Sequence, residues 1–235
     1  MGKRRLFAGL VSIGSLIGLV GLSSVPAVAA ELPWDRLSGP TGVETSIAVA
    51  NHAYSGDWPV VYVASNKNPV DALPAATIGD GPVVLTDGNT LNLGGKKPGK
   101  VVLLGGTGAV AQGIEGQAKA LVGDGNVQRL AGADRNATAA AIAEQWVKVN
   151  GNPKVVYVTK NAGAGSPDAV VASVLRDGPI LTFTSDASAA ALKDVIAKLN
   201  PGQVIALGVT HITAIGGTGV LPDSNVKAAA GEAAG

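Results

Sequence analysis

The chain has no cysteine, which excludes disulfides, thiol nucleophiles and cysteine-ligated metals. Histidine occurs only at His52 and His211, without the short spacing of a zinc site. No G-x-S-x-G elbow is present, so no serine nucleophile is marked either. Nothing in this inventory nominates an enzyme, a metal or a cofactor. Trp, Tyr and Phe together number eight in 235 residues, and charged residues make up 15%. A core must therefore be built from Val, Ile, Leu and Ala, whose small volumes let helices and strands approach closely. With 46% hydrophobic residues and 33 Gly, the composition fits a folded domain or two rather than a disordered tail.

The first thirty residues bias those totals. Lys3, Arg4 and Arg5 form a basic start, residues 6–20 an apolar stretch broken by Gly and Ser, and Ala27-Val28-Ala29 an A-x-A cleavage signal. This pattern is that of a signal peptide over residues 1–30, and it predicts export. The apolar run is shorter and more Gly-rich than the ~20 residues of a spanning helix, so no stable membrane insertion is expected after cleavage. Beyond residue 30 the chain carries 15 Lys plus Arg against 17 Asp plus Glu, a net charge of −2. Bulk electrostatics gives no reason to expect nucleic acid.

What the remainder does contain is an internal repeat. Arg36-Leu37-Ser38-Gly39 recurs 93 residues later as Arg129-Leu130-Ala131-Gly132. Val60-Val61-Tyr62-Val63 recurs as Val155-Val156-Tyr157-Val158, and Pro69-Val70-Asp71-Ala72 loosely as Ser166-Pro167-Asp168-Ala169. Gly81-Pro82-Val83-Val84 pairs with Gly178-Pro179-Ile180-Leu181, and Leu104-Gly105-Gly106-Thr107-Gly108 with Ile215-Gly216-Gly217-Thr218-Gly219, now 111 apart. The order of the matches is kept throughout, which sets residues 31–128 and 129–235 as two copies of one unit.

Short β-branched runs bounded by Gly and Pro alternate with Ala-rich segments of helical period, the signature of an α/β unit. Their continuous apolar character predicts buried parallel strands. In copy one the pattern gives a helix over 43–53, a strand over 60–64, a short helix from 70, strands over 83–85 and 101–104, and a helix over 111–121. Copy two gives helices over 136–149 and 168–175, strands over 155–159 and 180–183, and a helix over 187–199 that copy one lacks. Both Val204-Ile205-Ala206-Leu207 and Ile212-Thr213-Ala214-Ile215 read as strands, and either can be the counterpart of 101–104. Asn126-Val127-Gln128 is expected to run directly from one copy into the next. The fold class is two tandem α/β repeats, each with a small mainly parallel sheet flanked by helices.

These residues resemble the type 2 cell wall-binding repeats that hold surface proteins on the envelope of Gram-positive bacteria. The family's R-L-A-G-A-D-R opening is matched by Arg129-Leu130-Ala131-Gly132-Ala133-Asp134-Arg135 with Thr138. Its P-D-A-L, G-P-I-L-L-T and V-G-G-x-x-A-V motifs are matched at Pro167-Asp168-Ala169, at Gly178-Pro179-Ile180-Leu181-Thr182 and at Gly105-Gly106-Thr107-Gly108-Ala109-Val110. The resemblance covers the chain from about Arg36 onward. Copy one departs from it, with Pro40-Thr41-Gly42 in place of A-D-R, and copy two has Asn136 in place of the family's aromatic. Family members usually carry three repeats arranged as a triangle. Two repeats then imply self-association into a homo-oligomer, a module borrowed from a partner repeat protein, or weaker binding.

The resemblance implies a secreted, non-catalytic module at the cell surface whose partner is an anionic cell wall polymer. Arg36, Arg129 and Arg135 stand in Gly-containing loops ahead of helices, where a guanidinium can pair with phosphate or carboxylate through two hydrogen bonds. The same arginines can equally tie loop carbonyls or an Asp together between modules. On the first view, Arg129→Ala with Arg135→Ala lowers envelope retention with little change in melting temperature. Asp71 and Asp168 begin short helices, where a carboxylate is more often a cap than a binding group. The turns carrying Gly105, Gly106, Gly216 and Gly217 can cradle an anion on their N–H groups, or serve only close strand-to-helix packing. An alternative from another class is an exported small-ligand or nucleotide-binding protein that uses the cleft between parallel strands. A third is a surface-layer component that contacts protein rather than glycan.

Overall fold

The computed structural model describes residues 35–161, 167–199 and 209–231. The expected signal peptide and the strand expected at 204–207 lie outside the described residues. The described residues from Arg36 onward form one unit, and it opens with α1 (Gly42–Ala53). Thr41 caps this helix by accepting the Val43 N–H at 3.1 Å. Val43, Ile47 and Ala50, spaced at four and seven residues, face inward from it. Next come β1 (Val60–Ser65), a 3-10 turn at Pro69–Asp71, α2 (Ala72–Ala76), β2 (Val83–Thr86), β3 (Lys100–Leu104) and α3 (Gln112–Val122). Where copy two has an extra helix, copy one has a loop pinned by Gln117, whose amide donates to the Asn89 carbonyl and accepts the Leu91 N–H, both at 2.8 Å.

The second half repeats the scheme. It follows β4 (Val127–Leu130) with α4 (Arg135–Asn150), β5 (Val155–Lys160), α5 (Pro167–Ala172), β6 (Ile180–Phe183), α6 (Asp186–Lys198), β7 (His211–Ile215) and α7 (Asp223–Ala230). Asp134 caps α4 by accepting the Ala137 N–H at 2.8 Å, and Ser185 with Ser188 forms a reciprocal capping box on α6. A buried Tyr on the central strand donates to an Asp in each copy, Tyr62 to Asp80 at 2.9 Å and Tyr157 to Asp177 at 2.8 Å.

Among the described residues the strands form two wholly parallel sheets, of order β2-β1-β3-β4 and β6-β5-β7. The register Tyr62↔Val102 in the first is matched by Tyr157↔Thr213 in the second. β7 therefore occupies the place of β3, and the segment expected at 212–215 is the counterpart of 101–104. β1 is fully buried, as a central parallel strand must be.

The copies interlock. The segment expected to link them is β4, which pairs with β3 in the register Val101↔Val127 to Leu104↔Leu130. The division expected between residues 128 and 129 thus falls inside a strand, and the opening residues of the second copy complete the sheet of the first. One face of that sheet packs Val43, Ile47, Trp58, Val63, Leu103 and Ile114 beneath α1 and α3. The other packs Tyr62, Val102 and Leu104 against Ala75 and Ile78 on one side and Ile142 and Trp146 of α4 on the other. Trp146 Nε1 donates to the Thr77 carbonyl at 3.1 Å, and Asn150 Nδ2 to the Ile78 carbonyl at 3.1 Å. One of the few aromatics in the chain is spent on the joint between its halves.

Candidate functional site

From β1 the chain goes to β2 on one side and then crosses to β3 on the other. In an open parallel sheet, that reversal leaves a crevice at the carboxyl ends of the two neighbouring strands. A groove of about 510 Å³ lies there, lined by the loop after β1, the turn at 105–108 after β3, and the opening of the second copy at 132–135 with Thr138. Three local devices hold it. Pro69 starts a 3-10 turn that brings Asp71 to the groove without any side-chain cap bond to α2, so the capping role open to Asp71 in the sequence is not the one it plays. Thr138 accepts the Gly132 N–H at 3.1 Å and donates to the Asp134 carbonyl at 3.0 Å, fixing the loop ahead of α4. Thr45 accepts the Gly39 N–H at 3.0 Å in the same way in copy one.

The third device is Arg129. Its Nη1 donates to the carbonyls of Gly105 and Val110 at 2.8 and 3.0 Å, while Nε and Nη2 donate to Glu115 Oε2 at 3.2 and 2.9 Å. The hydrogen bonds from Arg129, then Lys119, hold the Glu115 carboxyl below the usual carboxylate range. Arg129 thus ties together the two ends of the loop from Gly105 to Val110, the loop-tying role, and does not line the groove. Arg36 is not among the groove residues either. Of the three arginines considered from the sequence, only Arg135 lines it.

Gly105 has φ +90°, and a Cβ there would sit 2.7 Å from Asp71 Oδ2. The second copy repeats the arrangement: Gly216 has φ +131°, and its Cβ would meet Asp168 Oδ2 at 3.0 Å. The Pro-Asp motif and the Gly-Gly turn, about 35 residues apart in copy one, are therefore two halves of one contact. Gly106 and Gly217 have open space above them, and Gly106 lines the groove.

Charges in the groove are mixed. Lys67 and Arg135 line it together with Asp71, Asp87 and Asp134. Burial pushes the Asp71 carboxyl above its ordinary range, and the charge of Arg135 pulls the other way. Asp87, at the rim, is held below that range by the N–H groups of Thr90 and Asn89. Asn68 Oδ1 is buried and has no hydrogen-bond partner. Lys67 and Asn68 precede Pro69 directly, and Asp134 lies inside the R-L-A-G-A-D-R opening, yet none of the three was nominated by the sequence alone. Their position beside the nominated motifs was the only available signal.

The family match follows the same two halves. The cell wall binding domain 2 (CWB2) family matches residues 36–115 and again 129–227. The chain belongs to the CWB2 family. Both CWB2 matches open on an Arg-Leu pair, at Arg36 and Arg129. Among solved structures, Cwp6 from Clostridium difficile is similar over 88% of this chain and 34% of its own, with a TM-score of 0.66 and 20% identity. Cwp8 from Clostridium difficile is similar over 83% of this chain and 33% of its own, with a TM-score of 0.62 and 23% identity. The chain thus spans about a third of either protein, and at these identities the likeness is one of fold. No curated protein matches it. Among the described residues, no group of three His, Asp or Glu side chains could hold a metal ion, and no helix is long and apolar enough to cross a membrane.

Proposed function

We propose that this CWB2 chain is a secreted, non-catalytic module that holds an anionic glycopolymer of the Gram-positive cell wall in the groove at the ends of β1 and β3. The observation that carries the reading is the position of Arg135. It is the first residue of α4, at the positive end of the helix dipole, where a cation is unfavourable for the helix by a few tenths of a kcal/mol. A guanidinium held there, beside the N–H groups of the turn at 106–108, favours an anion more than it favours the fold. The other lining groups fit the rest of such a polymer. Sugar hydroxyls donate to the carboxylates of Asp71, Asp87 and Asp134 and to Asn68 Oδ1, an acceptor left without a donor. A bare polyphosphate would instead meet three carboxylates against two cations.

A small anionic sugar is the second reading, since about 510 Å³ is the volume of a small-molecule site. The test is co-sedimentation of the purified chain with cell walls of its source, before and after acid removal of phosphate-linked polymers. Binding that disappears on stripping, and that Arg135→Ala weakens at unchanged melting temperature, supports the proposal. Undiminished binding to stripped walls refutes it.

A further inference from the structure

Beside the arginine groove lies a second cavity, of about 500 Å³, between the start of α1 and the loop after β2. The two share their walls. The loop after β2 lines the groove with residues 87–89 and the cavity with Asp87 and residues 90–92, while the loop after β1 gives Lys67 and Asn68 to the groove and Asn66 to the cavity. Asp87 thus borders both. The partition is well fixed: Asp87 Oδ1 accepts the N–H groups of Asn89 and Thr90 at 2.8 and 3.0 Å, and Thr86 donates to the Thr90 carbonyl and accepts the Gly88 N–H, both at 3.1 Å.

In copy two the equivalent place is tied across. Thr138 and Gly132 correspond to Thr45 and Gly39, and Phe183 opposite Lys160 corresponds to Thr86 opposite Ser65. Asn136 therefore stands where copy one has Val43, and Thr184 where it has Asp87. Asn136 Nδ2 donates to Thr184 Oγ1 and its Oδ1 accepts from Thr182 Oγ1, both at 3.2 Å, which straps the helix start to the end of the strand. Val43 has no polar group to reach across with, and it packs into the core instead. The charge at the helix start is reversed as well. α4 opens on Arg135, whereas α1 carries Glu44 in its first turn, so its dipole already has an anion. Glu44 accepts a hydrogen bond from the Thr41 hydroxyl, and that bond holds its carboxyl below the ordinary range. With Asp87 this makes two carboxylates and no Lys or Arg among the lining residues. Such a cavity repels an anion and accepts hydrogen bonds from a ligand that brings hydroxyl donors without negative charge.

Building on the polymer reading of the arginine groove, we infer that this cavity is a second subsite, which takes an uncharged sugar residue next to the anionic group held at Arg135. The polymer lies across Asp87, with its charge at the start of α4 and its neutral sugar at the start of α1. The chain therefore selects a polymer in which charged and uncharged residues are neighbours over one in which every residue is charged.

The test is calorimetric titration of the chain in its naturally processed form with fragments of the acid-released wall polymer, sorted by charge and by length. Singly charged fragments with and without one further uncharged sugar are compared. A sugar giving two or three hydrogen bonds should tighten binding by about tenfold or more. That gain should be equal at about 0.05 M and about 0.5 M salt, because the added residue carries no charge. Thr90→Trp should abolish the gain and keep the affinity for the shorter fragment, since Thr90 lines only the cavity and its main-chain hydrogen bonds survive the substitution. Asn66→Trp fills the cavity from another wall and should act alike, both variants melting with the parent. A gain that survives in both Trp variants, a gain that changes with salt, or a polymer whose every sugar is charged would each overturn the inference. Failure of both fragments to bind would instead remove the reading of the arginine groove, and the second subsite with it.

Discussion

Separating Arg129 from Arg135 tests the account of the groove most directly, because the two residues stand six positions apart in one motif and do different work. Truncating Arg129 to Ala removes four hydrogen bonds, two to main-chain carbonyls and two to Glu115. Its side chain is 18% exposed and that of Glu115 26%, so the ion pair is partly screened and contributes about 1 kcal/mol or less. The bonds to the Gly105 and Val110 carbonyls come from a charged donor and are worth about 1.5 kcal/mol each, the low end for such a donor because the side chain is partly exposed. A total loss of about 3 kcal/mol, in a domain of some 200 residues, lowers the melting temperature by roughly 6–12 °C. Arg135→Ala removes a group whose described interaction is its attraction to Asp71, and relieves an unfavourable charge at a helix start, so a shift within about 2 °C is expected. Differential scanning calorimetry on the two single variants, paired with wall co-sedimentation, reads both effects. Arg135→Ala should lose binding and keep its melting temperature. Arg129→Ala should lose stability first, and binding only as the turn at 105–108 loosens. An Arg129→Ala protein that melts with the parent, or an Arg135→Ala protein that falls by as much as Arg129→Ala, would refute the reasoning.

Gly105→Ala places a Cβ 2.7 Å from Asp71 Oδ2 and 2.9 Å from Ala109 Cβ at a positive φ, and should cost about 2–3 kcal/mol by thermal melting. Gly106→Ala meets nothing within 4 Å and should leave stability unchanged, so equal melting shifts for the two would contradict the described turn. Asp71 has its folded pKa raised by burial. Its protonated form is therefore favoured in the folded state, and its contribution to stability is present below the unfolded value of about 3.9 and lost as pH rises through the folded value. Asp71→Asn removes this loss, so the melting temperature of the variant relative to the parent should climb from about pH 4 toward neutrality. A difference that narrows with rising pH would show the opposite sign of shift.

The double variant expected from the sequence to spare stability illustrates what could not be read there. Arg129 and Arg135 share one Gly-containing motif, and nothing in their spacing distinguishes a residue at the end of β4 from the first residue of α4. The distinction comes from where β4 pairs, a long-range register that local pattern does not encode. Asp71 presents a similar case. A carboxylate at a helix start looks like a cap, yet α2 begins with a 3-10 turn and the side chain lies against Gly105, some 34 positions along the chain.

Local pattern was enough for the two α/β copies, most of their element order apart from β4 and α7, the parallel character of their strands and the motifs that border the groove. These follow from period, from Gly and Pro punctuation and from the duplication, all of which are local or self-referential signals. Packing set that β7 is the partner of β5, that β4 belongs to the sheet of the preceding copy, and that one of the three arginines lines the groove. Those outcomes depend on which apolar faces are buried together, and in a chain built mostly of Val, Ala, Leu and Ile many faces look alike until they are packed.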